Sequence, residues 1–154
     1  MSKVVVADSS CLIGLARIGR LTLLQQVFGE ILISPAVFRE TVTNGKGRAG
    51  SAEIAASAWI RTVPVKNTAA VLQLSVELGA GESESIVLAE EQRADFLILD
   101  DGIARTKATS RQLSVVGTVA VLTLAEKKGV IPGASALVQE LRYAGFWFEE
   151  GETT

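Results

Sequence analysis

The sequence contains no histidine and a single cysteine, Cys11, in 154 residues. The first absence removes serine–histidine and cysteine–histidine nucleophile systems, and with them zinc and iron sites ligated through imidazole. The second removes intrachain disulfides, thiolate zinc clusters and iron–sulfur centres. No stretch approaches the roughly 18 apolar residues of a membrane span, and the apolar run after Met1-Ser2-Lys3 is too short for a secretory signal. A cytoplasmic protein is the expectation. Nor is there a surplus of positive charge: the net charge of −2 and pI near 5.3 give no general attraction for nucleic acid. What remains for chemistry is carboxylates, hydroxyls and basic side chains.

What is present suffices for a packed core. Hydrophobic residues make up 48% and charged residues 21%, a balance that argues against disorder. The length fits one domain, expected over 1–148, followed by an acidic tail, 149–154, with Glu149, Glu150 and Glu152. Charge is unevenly spread. Residues 1–81 carry eight Lys/Arg against five Asp/Glu, whereas residues 82–154 carry seven against twelve.

Short apolar runs alternate with helical patterns. Strands are expected at Lys3–Ala7, Ile31–Ile33, within Trp59–Val65, at Phe96–Leu99 and at Leu113–Val116. Helices are expected after Ser9 or Ser10 as cap, over Leu21–Phe28, from Ser34-Pro35 to about Thr43 and over Ser51–Ala58. Further helices are expected over Thr68–Leu78, Glu82–Arg93, Ile103–Ser110, Thr118–Lys128 and Ala134–Tyr143. Residues 44–50, Asn-Gly-Lys-Gly-Arg-Ala-Gly, read as a flexible loop. Phe146-Trp147-Phe148 reads as an edge strand. Apolar strands alternating with helices define an α/β fold, a central parallel sheet covered on both faces in three layers.

In open α/β sheets, ligands bind beyond the carboxyl ends of the strands. Asp8 follows the first strand and Asp100-Asp101 follow the strand at 96–99, so neighbouring strands would bring three carboxylates to one rim. Glu40 shares a helix face with Ala36 and Val37, while Glu82 and Glu84 open the helix before the Asp100 strand. Each acid alone has a plainer role, as turn or cap for Asp8, Asp100 and Asp101, as dipole partner for Glu82 and Glu84, and as solvated surface for Glu40. Together they do not. Two carboxylates about 4 Å apart repel by roughly 4 kcal/mol at an effective dielectric near 20. Such a cluster must take up protons or hold a cation, and an oxygen-only donor set selects Mg2+ or Mn2+. A cation of that kind suits phosphoryl or phosphodiester chemistry.

Four segments in order resemble the PIN-domain nucleases: the strand before Asp8-Ser9-Ser10; Ile33-Ser34-Pro35-Ala36-Val37-Phe38-Arg39-Glu40; Gly81-Glu82-Ser83-Glu84-Ser85-Ile86-Val87-Leu88-Ala89; and Leu97-Ile98-Leu99-Asp100-Asp101-Gly102-Ile103-Ala104-Arg105. In particular the chain is similar to the uncharacterised prokaryotic branch related to VapC-type toxins. The resemblance implies a three-layer α/β/α fold and metal-dependent cleavage of RNA. It implies catalytic roles for Asp8, Glu40, Glu84 and Asp101, with Asp8, Asp101, Glu84, Asp100 and Glu82 as candidate metal ligands and Ser10 as a water-orienting hydroxyl. It further implies RNA as substrate, a toxin's role, a small antitoxin protein as partner and a homodimer. RNA contacts are expected from Lys46, Arg48 and Arg105, with Arg17, Arg20, Lys107 and Arg111 as further rim candidates; Arg105 is also spaced to pair with Asp101.

Two other classes of protein also place acids at strand ends. A phosphoacceptor receiver domain needs its acidic pair early and a lysine after a late strand, and here the pair comes late and Val115-Val116 precedes Gly117-Thr118. A non-catalytic PIN-like binding module would use the same acids as structure or as a partner surface.

Overall fold

The computed structural model describes residues 3–48 and 50–146. Five short parallel strands form one sheet in the order β3-β2-β1-β4-β5: β1 (Val5–Ala7), β2 (Ile31–Ile33), β3 (Ile60–Thr62), β4 (Phe96–Ile98) and β5 (Val115–Val116). The chain builds outward from β1 to β3 on one side and then returns to add β4 and β5 on the other. The reversal falls between β1 and β4, which pair directly, Ala7 opposite Ile98. Asp8 N–H continues the ladder to the Ile98 carbonyl at 3.0 Å.

Strand side chains alternate between faces, and the core divides accordingly. Val5, Ala7, Ile31, Ile33 and Ile98 pack against α1 (Ser9–Arg17), α2 (Leu23–Phe28), α8 (Thr118–Lys127) and α9 (Ala134–Tyr143). Val6, Leu32 and Leu97 pack against α5 (Thr68–Leu74), α6 (Ala80–Glu91) and α7 (Gly102–Ser110). Every residue from Ser85 to Ala89 in α6 is buried, as expected of a helix with no wet face. That burial draws the acids at its start toward the interior. Among the described residues no helix is long and apolar enough to cross a membrane.

Several local expectations are corrected. Asp8, not Ser9 or Ser10, occupies the cap of α1, and α6 begins at Ala80, ahead of Glu82. The helix capped by Ser34, whose side chain accepts from Val37 N–H at 3.1 Å, is α-helical only over α3 (Pro35–Phe38). It continues as a π-helical segment, Arg39–Thr43, that carries Glu40. The helices expected at 51–58 and 68–78 are shorter, α4 (Ser51–Ala56) and α5. The edge strand read at 146–148 and the tail at 149–154 lie, apart from Phe146, outside the described residues.

Candidate functional site

At the carboxyl end of β1 and β4 a cavity of about 420 Å³ opens, lined by Asp8, Ser10, Glu40, Glu82, Asp100 and Asp101, with Arg17 and Phe146 on its walls. It stands where the direction of strand addition reverses, the usual ligand crevice of an open α/β sheet.

Asp8 is the deepest acid, 5% exposed, and its Oδ1 has no hydrogen-bond partner among the described residues. Burial pushes its carboxyl up from an ordinary 3.8 to about 7. The Ser9 backbone N–H opposes that rise, and the charges of Glu82, Glu40 and Asp100 add to it. Glu40 reaches the same point from the π-helical segment. A methyl group on Gly81 would overlap Glu40 Oε1 and stand 3.2 Å from Asp8 Oδ1, so the two carboxylates converge over a bare stretch of α6 backbone. Glu40 is itself raised, first by burial and then by Glu82, with Arg39 pulling the other way and Glu84 adding to the rise. Glu82 is raised by burial and by Asp101, while the Gly79 N–H that it accepts at 3.2 Å opposes this.

The two acidic pairs divide their labour. Asp100 is buried and fully engaged: Oδ1 accepts Thr118 N–H at 2.8 Å, and Oδ2 accepts Thr118 Oγ1 at 2.7 Å and Ser10 Oγ at 3.2 Å. It ties the start of α8 and the start of α1 to the end of β4. Asp101 is exposed and caps α7, its Oδ2 accepting Ala104 N–H at 2.9 Å. Glu82 lines the cavity and Glu84 does not. Glu84 Oε1 accepts Ala36 N–H at 2.9 Å, and Oε2 stands 4.0 Å from Arg39. Two residues along a helix turn a side chain by more than half a revolution, so one acid of the pair faces the cavity and the other faces the start of α3.

The basic candidates scatter. Arg48 lines a smaller cavity beside Glu40, while Lys46 is exposed in the turn before it and lines neither. Arg105 does not join the acidic cavity. It lines a separate one with Phe96, Val116 and Lys127, and its guanidinium donates to the Leu99 carbonyl at 3.4 Å. Lys107 pairs with Glu77 and Arg111 with Glu90, at 2.9 and 2.7 Å. Cys11 is fully buried and its thiol is pushed far up by that burial, so it is an inert packing group.

Sequence reading missed Gly81. An isolated glycine in the first turn of an apolar helix was the available signal, since such a residue usually marks a close approach. It also missed the π-helical turn under Glu40, a distortion frequent at functional sites and without a sequence signature.

The donor set is oxygen only, and the buried, unpartnered Asp8 Oδ1 amid raised carboxyls fits a hard divalent cation. Among the described residues no three acids close into a ready-made coordination shell.

Fold and site together define a mixed α/β protein with an acidic pocket at the topological switch of a parallel sheet. The model of a family described as a PIN domain matches residues 4–154, and the chain belongs to that family. A search of curated proteins finds no match.

Proposed function

We propose that this chain is a divalent-metal-dependent endoribonuclease, hydrolysing phosphodiester bonds of RNA at the pocket formed by Asp8, Glu40, Glu82 and Asp101. The observation that carries the reading is the buried, unpartnered Asp8 Oδ1 facing Glu40 across Gly81. A buried carboxylate without a partner is costly, and a cation removes that cost.

Asp8 and Asp101 would hold Mg2+ or Mn2+, with Glu40 and Glu82 completing the cup. When bound, the ion neutralises the acids, acidifies water and stabilises negative charge developing on the phosphate. The remaining steps belong to the chain's own groups. Ser10 has one proton to give and commits it to Asp100 Oδ2, so toward the pocket its oxygen can only accept. That makes Ser10 an acceptor for a proton of the attacking water and fixes the direction of its lone pairs. Asp100, bonded on both oxygens, positions Ser10 and the start of α8. Glu40 and Glu82 line the pocket and their proton affinities are raised by burial, so without histidine they are the groups suited to take the water's proton. Glu84, bonded to Ala36 N–H, orients α3 and through it Glu40.

The finer parts of the proposal rest on the sequence: its resemblance implies a toxin's role in a toxin–antitoxin pair, a small antitoxin protein as partner and a homodimer, and its composition is the ground for proposing action in the cytoplasm. The extent of the fold unit, 1–148 with a separate acidic tail, belongs with them.

Incubation of labelled single-stranded RNA with purified protein and Mg2+ or Mn2+, with chelator as control, tests the central claim. Cleavage that requires the metal and disappears in Asp8→Asn is the expected result. An Asp8→Asn protein that cleaves as fast as wild type defeats the assignment.

A further inference from the structure

We infer that Arg17 and Arg48 form a phosphate-binding subsite beside the acidic pocket, holding a phosphodiester next to the one that is cut. The inference rests on the nuclease reading above and names a second phosphate of that substrate, gripped on the other side of Glu40.

A second cavity of about 290 Å³ is lined by Ile13, Arg17, Glu40, Thr41, Gly45 and Arg48. Ile13, Arg17 and Glu40 line the acidic pocket as well, so the two spaces share a wall. Ile13 and Arg17 lie four apart on α1 and therefore on one face, which extends from the acids to the second cavity. Arg48 is brought there by a tightly built turn. Its N–H bonds the Gly45 carbonyl at 2.8 Å, and Ser51 Oγ bonds the Val42 carbonyl at 3.2 Å. A side chain at Gly45 would press on the Thr41 carbonyl, so the turn lies flat against the π-helical segment.

Neither guanidinium has a hydrogen bond or ion pair with any described residue. That sets them apart from Arg39, Arg61, Lys107 and Arg111, each of which faces a glutamate within 4.0 Å. Two unpaired guanidiniums on one cavity, beside a carboxylate that neither closes on, make a site for an anion with several acceptor oxygens.

The anion's identity follows from the neighbour. A pocket of carboxylates repels a polyanion, and a cation among them offsets this only at the scissile phosphate. The adjoining phosphates need positive charge of their own, and the cavity sharing a wall with the acids is where the next one along a strand arrives. Phosphate contacts of this kind position a nucleic acid without reading its sequence.

The test compares single-stranded RNA binding by the Asp8→Asn protein with and without Arg17→Ala and Arg48→Ala, across a salt series. It also compares cleavage by the otherwise wild-type chain with the same two replacements. Loss of the subsite should weaken binding at least about tenfold and flatten the log–log salt slope by roughly 0.7 for each arginine removed. KM should rise while kcat stays within about twofold, as for an interaction made equally in ground and transition states. Lysine at both positions should restore most of the salt slope, which separates a charge effect from misfolding. Unchanged affinity and slope in a protein that still cleaves RNA would overturn the subsite and leave the nuclease reading intact. Wild-type protein that neither binds nor cleaves RNA would overturn both. Arginine-dependent binding of polyglutamate in preference to RNA would assign the cavity to an acidic protein partner and also overturn the proposal.

Discussion

The carboxylate of Glu40 occupies the volume that a methyl group on Gly81 would fill. The approach is close because α6 meets the π-helical segment backbone-first. Replacing Gly81 by alanine therefore sets two effects against each other. Alanine favours the helix by about 0.5–1 kcal/mol over glycine, and the obstructing atom is the far end of a flexible side chain. The expected outcome for Gly81→Ala is a melting temperature equal to or above wild type, with Glu40 swung aside and metal-dependent cleavage reduced at least about tenfold. Parallel melting and kinetic measurements check it; full activity would place Glu40 outside the chemistry.

Asp8 gives a pH prediction for the metal-free protein. Its folded-state pKa, about 7, lies above the ordinary 3.8, so between those values the folded chain holds a proton that the unfolded chain releases. Stability is not penalised at the acidic end of that window, falls as pH rises through it, and levels off above about 7. Asp8→Asn removes the penalty. The variant should be the more stable protein above pH 7 by at most about 4 kcal/mol, converging with wild type toward pH 4. Denaturant midpoints at several pH values read this directly, and a variant less stable than wild type at pH 8 contradicts it.

Metal should reverse that penalty. Mg2+ or Mn2+ at millimolar concentration is expected to raise the melting temperature of wild type at pH 8 and to do so progressively less below pH 7, where protons compete for Asp8. Asp8→Asn should show little response. Absence of any metal-dependent shift in wild type would favour the non-catalytic binding module over the enzyme.

The glutamate pair should separate by function. Glu82→Ala removes a cavity-lining acid and is expected to lower metal-dependent cleavage at least about tenfold. Glu84→Ala leaves Ala36 N–H without its acceptor and should cost about 1 kcal/mol of stability, with activity within a few-fold of wild type. The reverse ranking of the two activities would move the catalytic role to Glu84.

The architecture was legible because its signals are local: β-branched runs, Ser34-Pro35 as a helix start, and an acid after each of two central strands. The neighbouring of β1 and β4 turns those acids into a site, and the sequence carries it only as a condition. What sequence could not resolve was direction. Glu82 and Glu84 are chemically alike and sit two residues apart, so only the burial of α6 tells which faces inward. The same holds for Asp100 and Asp101, where the partner that claims Asp100 is Thr118, eighteen positions away. Arg105 is a related case: its spacing from Asp101 says nothing of which side of α7 looks across β5.

The pocket's acids come from four separate stretches between residues 8 and 101, and two of them lie on opposite sides of the sheet's reversal. No fragment of the chain owns the site, and no partly assembled sheet can display it. If the chain cleaves RNA as proposed, a copy in which β4 has not yet slotted in beside β1 would lack the pocket and with it the means to cut.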